Sequence, residues 1–582
     1  MRLPIMNELG ATRDMVDVFK GYNHNLRIGD GEFYDMKNLT SSSYPVLSPR
    51  KARGVYAKPE NPQALLSKDS LCYVDGTDFV FDEYRIDLGL STDAKDCPKT
   101  LISMGAYVII MPDKKYINTA DISEYGNIEA SVTTNTTVSF EICKVDGSAY
   151  SGITISATEP TDPNNMDLWT DTSSTPHTLK QYSSTSAMWV AIPTTYIKIS
   201  ATGIGKPFEV NDGVAISGIE NSQLSDLNNT MIVWAKGDDY IVVTGILDEI
   251  SSQTNPVTVK RSMPNMDFVI ESGNRLWGCR YGVAINGDVV NEIYASKLGD
   301  FKNWNCFMGI TTDSYAATVG TDGQFTGAIT HLGYPIFFKE NYMHKVYGNY
   351  PANYQINTTT CRGVQKGSDK SLAIVNEILY YKSRSAICAY DGSLPQEVSY
   401  VLGEVPYSNA VACGHGNKYY ISMHDDNAKQ WHLFVCDTAK GMWHREDNTR
   451  VDAFCSCRDE LYYIDHNDHQ IKTVFGSGDV GEKNVEWMAE TGIIGTDSPD
   501  KKYISKLNVR MSLDLDTMIY FFIQYDSHDK WEHLFTMEGT SLKSFTVPIR
   551  PKRCDHMRLR IEGIGDAKIF SITKTIEQGS DY

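Results

Sequence analysis

Three observations predict an all-β chain organised around a β-propeller. Paired aromatic or apolar residues recur in short strand-like runs: Leu276-Trp277, Phe337-Phe338, Tyr380-Tyr381, Tyr419-Tyr420 and Leu461-Tyr462-Tyr463. With Trp277, Phe337, Tyr380, Tyr419 and Tyr462 taken as equivalent, the spacings are 60, 43, 39 and 43 residues, against the ~40–50 of four-stranded propeller blades. A second short strand follows the last four, at 344–347, 386–390, 432–436 and 470–475. Composition agrees: 34 Tyr and 44 Gly accompany abundant Ser and Thr, and few stretches show helical periodicity. The predicted architecture is a β-propeller with an inserted small β module and a C-terminal jelly-roll or β-sandwich. The blade number is expected to be roughly five to seven.

Residues 1–60 read as an N-terminal arm leading into the propeller. The run from Gly21 to Thr40 is turn-rich, and Pro45 and Pro49 keep the chain extended by fixing φ and restricting the preceding residue. Residues 61–126 are the first part of the propeller, with hairpins expected at 71–86 and 107–118. A Ser- and Thr-rich break at 127–205 reads as the inserted module. The propeller resumes over 206–480, with strands expected at 231–235 and 240–245. A Gly-, Asp- and Lys-rich link follows at 477–484. Alternating runs over 485–582, with a turn placed at 514–517, then predict about six antiparallel strands, enough for a sandwich.

The most informative stretch is 272–304. It reads as a strand, a turn at Asn286-Gly287-Asp288, a second strand, and a Gly-Asp turn ending on Trp304. Its residues Asn274, Arg275, Leu276, Gly278, Ile293, Tyr294, Ser296, Leu298, Gly299, Asp300, Asn303 and Trp304 form the pattern N-R-L-x-G … I-Y-x-S-x-L-G-D-x-x-N-W. This pattern resembles the β-propeller tail proteins of tailed bacteriophages: the nozzle, hub or DNA-stabilisation proteins. The order Gly-x-Asn, Gly-Glu, Asn, x-Pro-x-Leu and Pro-Arg within 21–50 resembles the opening of the same family, in which one early strand can close the propeller ring. Within the insertion, 167–190 resembles a D-x-W-x-D-T … L-K-x-Y … W module of phage tail and fibre proteins. Its Trp169 and Trp189 are candidates for a glycan platform, weighed against the commoner fate of Trp as the core of a small domain.

With 54 basic against 73 acidic residues the net charge is −19. Nucleic-acid affinity comes largely from Lys and Arg neutralising phosphates, so a DNA-gripping protein is not expected, although a repulsive conduit wall is compatible with this balance. The twelve cysteines are scattered, without a C-x-x-C pair, and are expected as free, mostly buried thiols of a reducing cytoplasm. Cys455 and Cys457, two apart on a strand, share one face. The start lacks a signal-peptide core, and no apolar run approaches the ~20 residues that span a bilayer, so neither secretion by that route nor membrane insertion is expected.

Propellers host glycosidases that use paired carboxylates, but among 73 acidic residues no feature selects two. Phosphate-cradling, nucleophile-elbow and zinc-protease motifs are absent. His415, His424, His432, His444, His466 and His469 fall within 55 residues, a spread expected over two blades. The segment Asp465–His469 reads as a polar turn rather than a calcium loop, because the twelve-residue ligand pattern is missing. The expectation is therefore no catalysis, no metal and no cofactor. The resemblance implies a virion tail protein made in the host cytoplasm. It implies a ring, in six copies, docked beneath a portal or adaptor, with double-stranded DNA passing transiently and without specific binding. A receptor- or glycan-binding tail-tip protein is the alternative reading, and a propeller glycan hydrolase the next.

Overall fold

The computed structural model describes residues 11–283, 287–497 and 500–578, and its regular secondary structure is nearly all strand, with a few short 3-10 turns. Seven antiparallel sheets form the propeller, six of four strands and the last of five, in which Asp479–Val480 pairs with the outer edge of the ring-closing strand. Blade 1 is Pro62–Ser67, Leu71–Asp75, Asp78–Phe81 and Tyr84–Asp87. Blade 2 is Thr100–Met104, Tyr107–Met111, Lys115–Asn118 and Tyr125–Asn127. Blade 3 is Phe268–Ser272, Arg275–Val283, Val289–Ala295 and Tyr315–Thr318. Blade 4 is Gly327–His331, Tyr334–Lys339, Tyr342–Tyr347 and Gln355–Thr360. Blade 5 is Ala373–Val375, Ile378–Lys382, Ile387–Tyr390 and Gln396–Glu397. Blade 6 is Tyr407–His415, Lys418–Asp425, Gln430–Asp437 and Met442–Arg445. Blade 7 is Val451–Cys457, Glu460–Asp465, Ile471–Thr473 and an early strand, Gly54–Ala57.

The five recurring aromatics all lie on the second strand of their blades, 3 to 7, and are packed between blades. The ring closes because Gly54–Ala57 pairs antiparallel with Ile471–Thr473. A Cβ on Gly54 would lie 2.2 Å from the Ser477 carbonyl oxygen, so this strand fits only with hydrogen there. Closure by a strand from the far end of the chain ties the first and last blades and leaves no open edge between them. Cys455 and Cys457 are both buried on one face, and all twelve cysteines are free.

The insertion is larger than the sequence suggests. It leaves blade 2 after Asn127 and returns only before Phe268. The strands Gly213–Ser217, Thr230–Ile232, Ala235–Gly237 and Tyr240–Thr244 lie in the stretch expected to be propeller but belong to the insertion. Tyr196–Ser200 pairs with both Val138–Cys143 and Tyr240–Thr244. Phe140, Ile197, Ile199, Phe208, Val214 and Ile241 then share one apolar core, all buried. Local composition marked the Ser/Thr-rich half only, since the other half is as apolar as a blade.

The first 60 residues are more than an arm. Ala11–Val16 and Glu32–Lys37 are strands of the C-terminal sheet, paired with Ala567–Gln578 and Glu486–Thr491. That domain is built on one 24-residue strand, Lys502–Tyr525. Its first half pairs with Ala567–Gln578 and its second half with Met557–Ile564, while Glu532–Val547 runs along its other edge. The turn expected at 514–517 is thus a bulge within a single strand, where the register against Glu532–Val547 shifts between Leu513 and Met518, and the strand belongs to one eight-stranded sheet. Gly539 sits opposite the bulge, where a Cβ would lie 2.5 Å from the Asp514 carbonyl oxygen. Among the described residues no helix is long and apolar enough to cross a membrane.

Candidate functional site at the mouth of the propeller axis

The 272–304 motif folds into an architectural corner of blade 3. Arg275, 1 % exposed, donates to the backbone carbonyls of Ser296, Thr311 and Asp313. The Ser296 hydroxyl accepts from the Leu276 amide at 3.0 Å. Asn274 (φ 57°) and Gly299 (φ 72°) occupy left-handed turn positions, and Asp300 accepts from the Lys302 amide. Gly278 lies where a Cβ would strike the Met266 sulfur. Tyr294 donates to Glu292, and Trp304 is buried with its indole donating to the Phe301 carbonyl. Asn303 clamps the insertion: its amide donates to Asp212 and its oxygen accepts from the Gly213 amide, both at 2.9 Å. Asn286, read as part of the turn, lies outside the described residues.

Trp169 and Trp189 sit in the small sheet Ile153–Ser156, Leu168–Asp171, Thr178–Ser183 and Met188–Ala191. The rings meet edge to face at 5.4 Å. Trp169 is buried, donates to the Ser156 carbonyl and is covered by Lys180 at 4.7 Å. A face covered in this way cannot stack on a sugar, so Trp169 serves as the plug of the sheet.

Two cavities open along the propeller axis. One, of about 750 Å³, is walled by the first strands of the blades, including Leu65, Leu101, Ile270, Ile329 and Phe454. It also holds Asp267 and Asp369, whose carboxyls burial pushes above their usual range. The other, of about 710 Å³, lies at the mouth between blades 1, 6 and 7. Lys370, Pro98 and Val411 border both.

The mouth is assembled from residues far apart in sequence. His424 and Trp431 face each other in register across a blade-6 hairpin, with rings 5.5 Å apart. The link to blade 7 is pinned by Ser422, whose hydroxyl donates to the Thr449 carbonyl and accepts from the Val451 amide. This places the Arg450 guanidinium over the Trp431 ring at 4.9 Å. Asp452, on the first strand of blade 7, has both carboxylate oxygens 3.0 Å from His466 Nδ1. The Lys370 ammonium donates to the Asp452 carbonyl oxygen at 3.0 Å. Burial lowers its pKa against the opposing pull of Asp369 and Asp452. Asp426 carries a depressed pKa because Ser408 and then His424 hydrogen-bond its carboxylate.

The six clustered histidines fall in blades 6 and 7 as expected, but only His424, His466 and His469 reach the mouth region. The Asp465–His469 segment is a turn, with Asp465 and Asp468 both engaged by Lys472. Trp431, Arg450, Asp452 and Lys370 were not selected by sequence reasoning. The one available signal was a Trp beside a histidine in a strand otherwise patterned for burial.

No protein-family model matches the chain, and no curated protein matches it. Solved structures do. It is similar to an exo-β-1,3-galactanase from Phanerochaete chrysosporium at 10 % identity, covering 53 % of this chain and 94 % of that one, with a TM-score of 0.22. It is similar to a GH43 glycoside hydrolase with endo-xylanase and exo-arabinofuranosidase activity at 8 % identity, covering 54 % and 96 %, with a TM-score of 0.20. It is also similar to the endosialidase of phage phi92 at 10 % identity, covering 77 % and 73 %, with a TM-score of 0.25. The expectation that this chain is no enzyme is corrected on this finding, since the structures it is similar to include glycoside hydrolases and an endosialidase. Sequence reasoning dismissed paired carboxylates because nothing in the linear order brings particular ones together. Folding brings Asp267 and Asp369 to one cavity.

Proposed function

We propose that this chain is a glycan-engaging structural protein of a bacteriophage tail, a subunit of a nozzle or hub ring beneath a portal or adaptor. The mouth cavity carries the glycan part of this reading. Its 710 Å³ is the size of a small-ligand site. An indole and fixed donors and acceptors from blades 1, 6 and 7 and from the links between blades converge there, the combination that meets both the apolar faces and the hydroxyls of a sugar. The tail assignment rests on the motif from Asn274 to Trp304, whose residues build the blade-3 corner and hold the insertion. In such a ring of six copies, made in the host cytoplasm and built into the virion, DNA would pass along the ring axis. The propeller's own axis is a ligand-sized cavity with walls of mixed apolar and charged residues. A chain of charge −19 offers duplex DNA no collective phosphate grip, which suits passage without specific binding.

The test pairs two measurements on the full chain. Purified protein is titrated with host surface polysaccharide, with Trp431→Ala as the control, and sugar release is followed in the same samples. A density map of the virion locates the chain. The reading expects binding that Trp431→Ala weakens at least ~10-fold, and a position around the tail axis. Polysaccharide binding indifferent to Trp431→Ala would overturn the glycan part. A virion lacking the chain in its tail would overturn the structural part.

A further inference from the structure

We infer that the mouth cavity selects a carboxylate-bearing sugar and that Arg450 is the residue that reads the carboxylate; this rests on the glycan reading above. Arg450 is held against Trp431 with its guanidinium carbon 4.9 Å from the ring centroid, and its side chain is 40 % exposed. Its nearest carboxylate, Asp452, stands 3.8 Å from Nε, beyond hydrogen-bond distance, and is already engaged by His466 at 3.0 Å. Among the described residues no hydrogen bond uses the Arg450 guanidinium donors. A planar cation ordered by stacking, with its donors unspent and a cavity beside it, has lost little entropy still to be lost on binding. Its forked N–H geometry matches a carboxylate in two parallel hydrogen bonds.

The surroundings agree in charge. Lys370 borders the same cavity, and Asp452 is the one carboxylate among its lining residues. In a chain with 19 more acidic than basic residues, a cavity walled this way is a local reversal of sign. The acidic groups nearest the rim are spoken for: Asp426 by His424 and Ser408, and Asp465 and Asp468 by Lys472. A neutral sugar offers the Arg450 fork only single hydroxyl acceptors, whereas a uronate or sialate carboxylate meets it with two charged oxygens at the matching spacing.

The experiment uses full-length protein and calorimetric titration with oligogalacturonate and oligosialate, each compared with its methyl ester, which keeps the sugar and hides the charge. The expected result is binding of at least one acid form, weakened ~10- to 100-fold by esterification and by Arg450→Ala, the range of one charge-assisted pair. Arg450→Lys keeps the charge and loses the fork, and should recover less than half of the lost binding free energy. Unchanged thermal melting of both variants verifies that the site alone was altered. Equal binding of acid and ester, abolished by Trp431→Ala, would overturn the carboxylate inference and leave the glycan reading standing. Absence of binding to every acid form, beside Trp431-dependent binding of neutral host polysaccharide, would overturn it in the same way. Absence of both would remove the inference and the reading together.

Discussion

Arg53 and Glu446, 393 residues apart in sequence, meet at 2.7 Å with side chains only 4 and 5 % exposed. Around them the buried Arg50 and the partly buried Asp447 and Glu482 complete an ionic cluster that joins the link before blade 7, the ring-closing strand and the segment after the last blade. Burial alone would lower the Arg53 pKa, but Asp447, Tyr463 and Glu446 outweigh it and raise it. Asp447 is held down to about 2, because Arg53 and Arg50 together overcome its desolvation.

Replacing Arg53 with Met should therefore destabilise the protein more than the pair's net worth suggests. The loss leaves the buried Glu446 and the partly buried Asp447 with only the more distant Arg50, at a cost of up to roughly 3–5 kcal/mol. Denaturant titration should show the propeller unfolding at a lower midpoint. A shift equivalent to under ~1 kcal/mol would mean that Arg50, 3.6 Å from Glu446, suffices alone.

Acid should destabilise the propeller before its carboxylates titrate. Burial, aided by Lys339, lowers the pKa of His344 from 6.5 to about 4. Burial, aided by Lys418, lowers that of His444 to about 3. Both are neutral in the folded state, while the unfolded chain takes up their protons below ~6.5. Stability contributed by this difference is complete above that value and falls as pH drops towards about 4 and about 3. Each histidine accounts for on the order of 3 kcal/mol at the acid end. Melting temperature against pH should slope downward from about pH 6.5, and less steeply in His344→Gln. An identical slope in that variant would remove His344 from the account.

Deleting the insertion should succeed only at its true boundaries. Removal of 127–205 cuts Val138–Cys143 and Tyr196–Ser200 from the sheet they share with Tyr240–Thr244, and exposes Phe208, Val214 and Ile241. That variant should aggregate. Removal of 130–261 with a short Gly-Ser bridge takes the whole apolar core and leaves seven blades. The second variant should stay soluble, at a cost of the Asn303 clamp to Asp212 and Gly213. Soluble expression of the first and aggregation of the second would reverse this assignment.

Blade repetition was legible in the chain because each blade is a local meander. Its strands are joined by short turns, so hydrophobic alternation and aromatic recurrence are written in consecutive residues, as Trp277, Phe337, Tyr380, Tyr419 and Tyr462 show. The motif around Arg275 was legible for the same reason: all three carbonyls it satisfies lie within 38 residues. Tertiary structure alone decided three other matters. It decided that Gly54–Ala57 completes blade 7, since a pairing across more than 400 residues leaves no local period. It decided that 213–261 belongs to the insertion, since membership follows from which strands share hydrogen bonds rather than from composition. It decided the mouth, where Lys370, Trp431, Arg450 and Asp452 come from different blades or the links between them and meet only because the ring closes. Local sequence dictates which elements form. The free energy of closing a ring over a common axis dictates which side chains become neighbours, and that is a property of the whole chain.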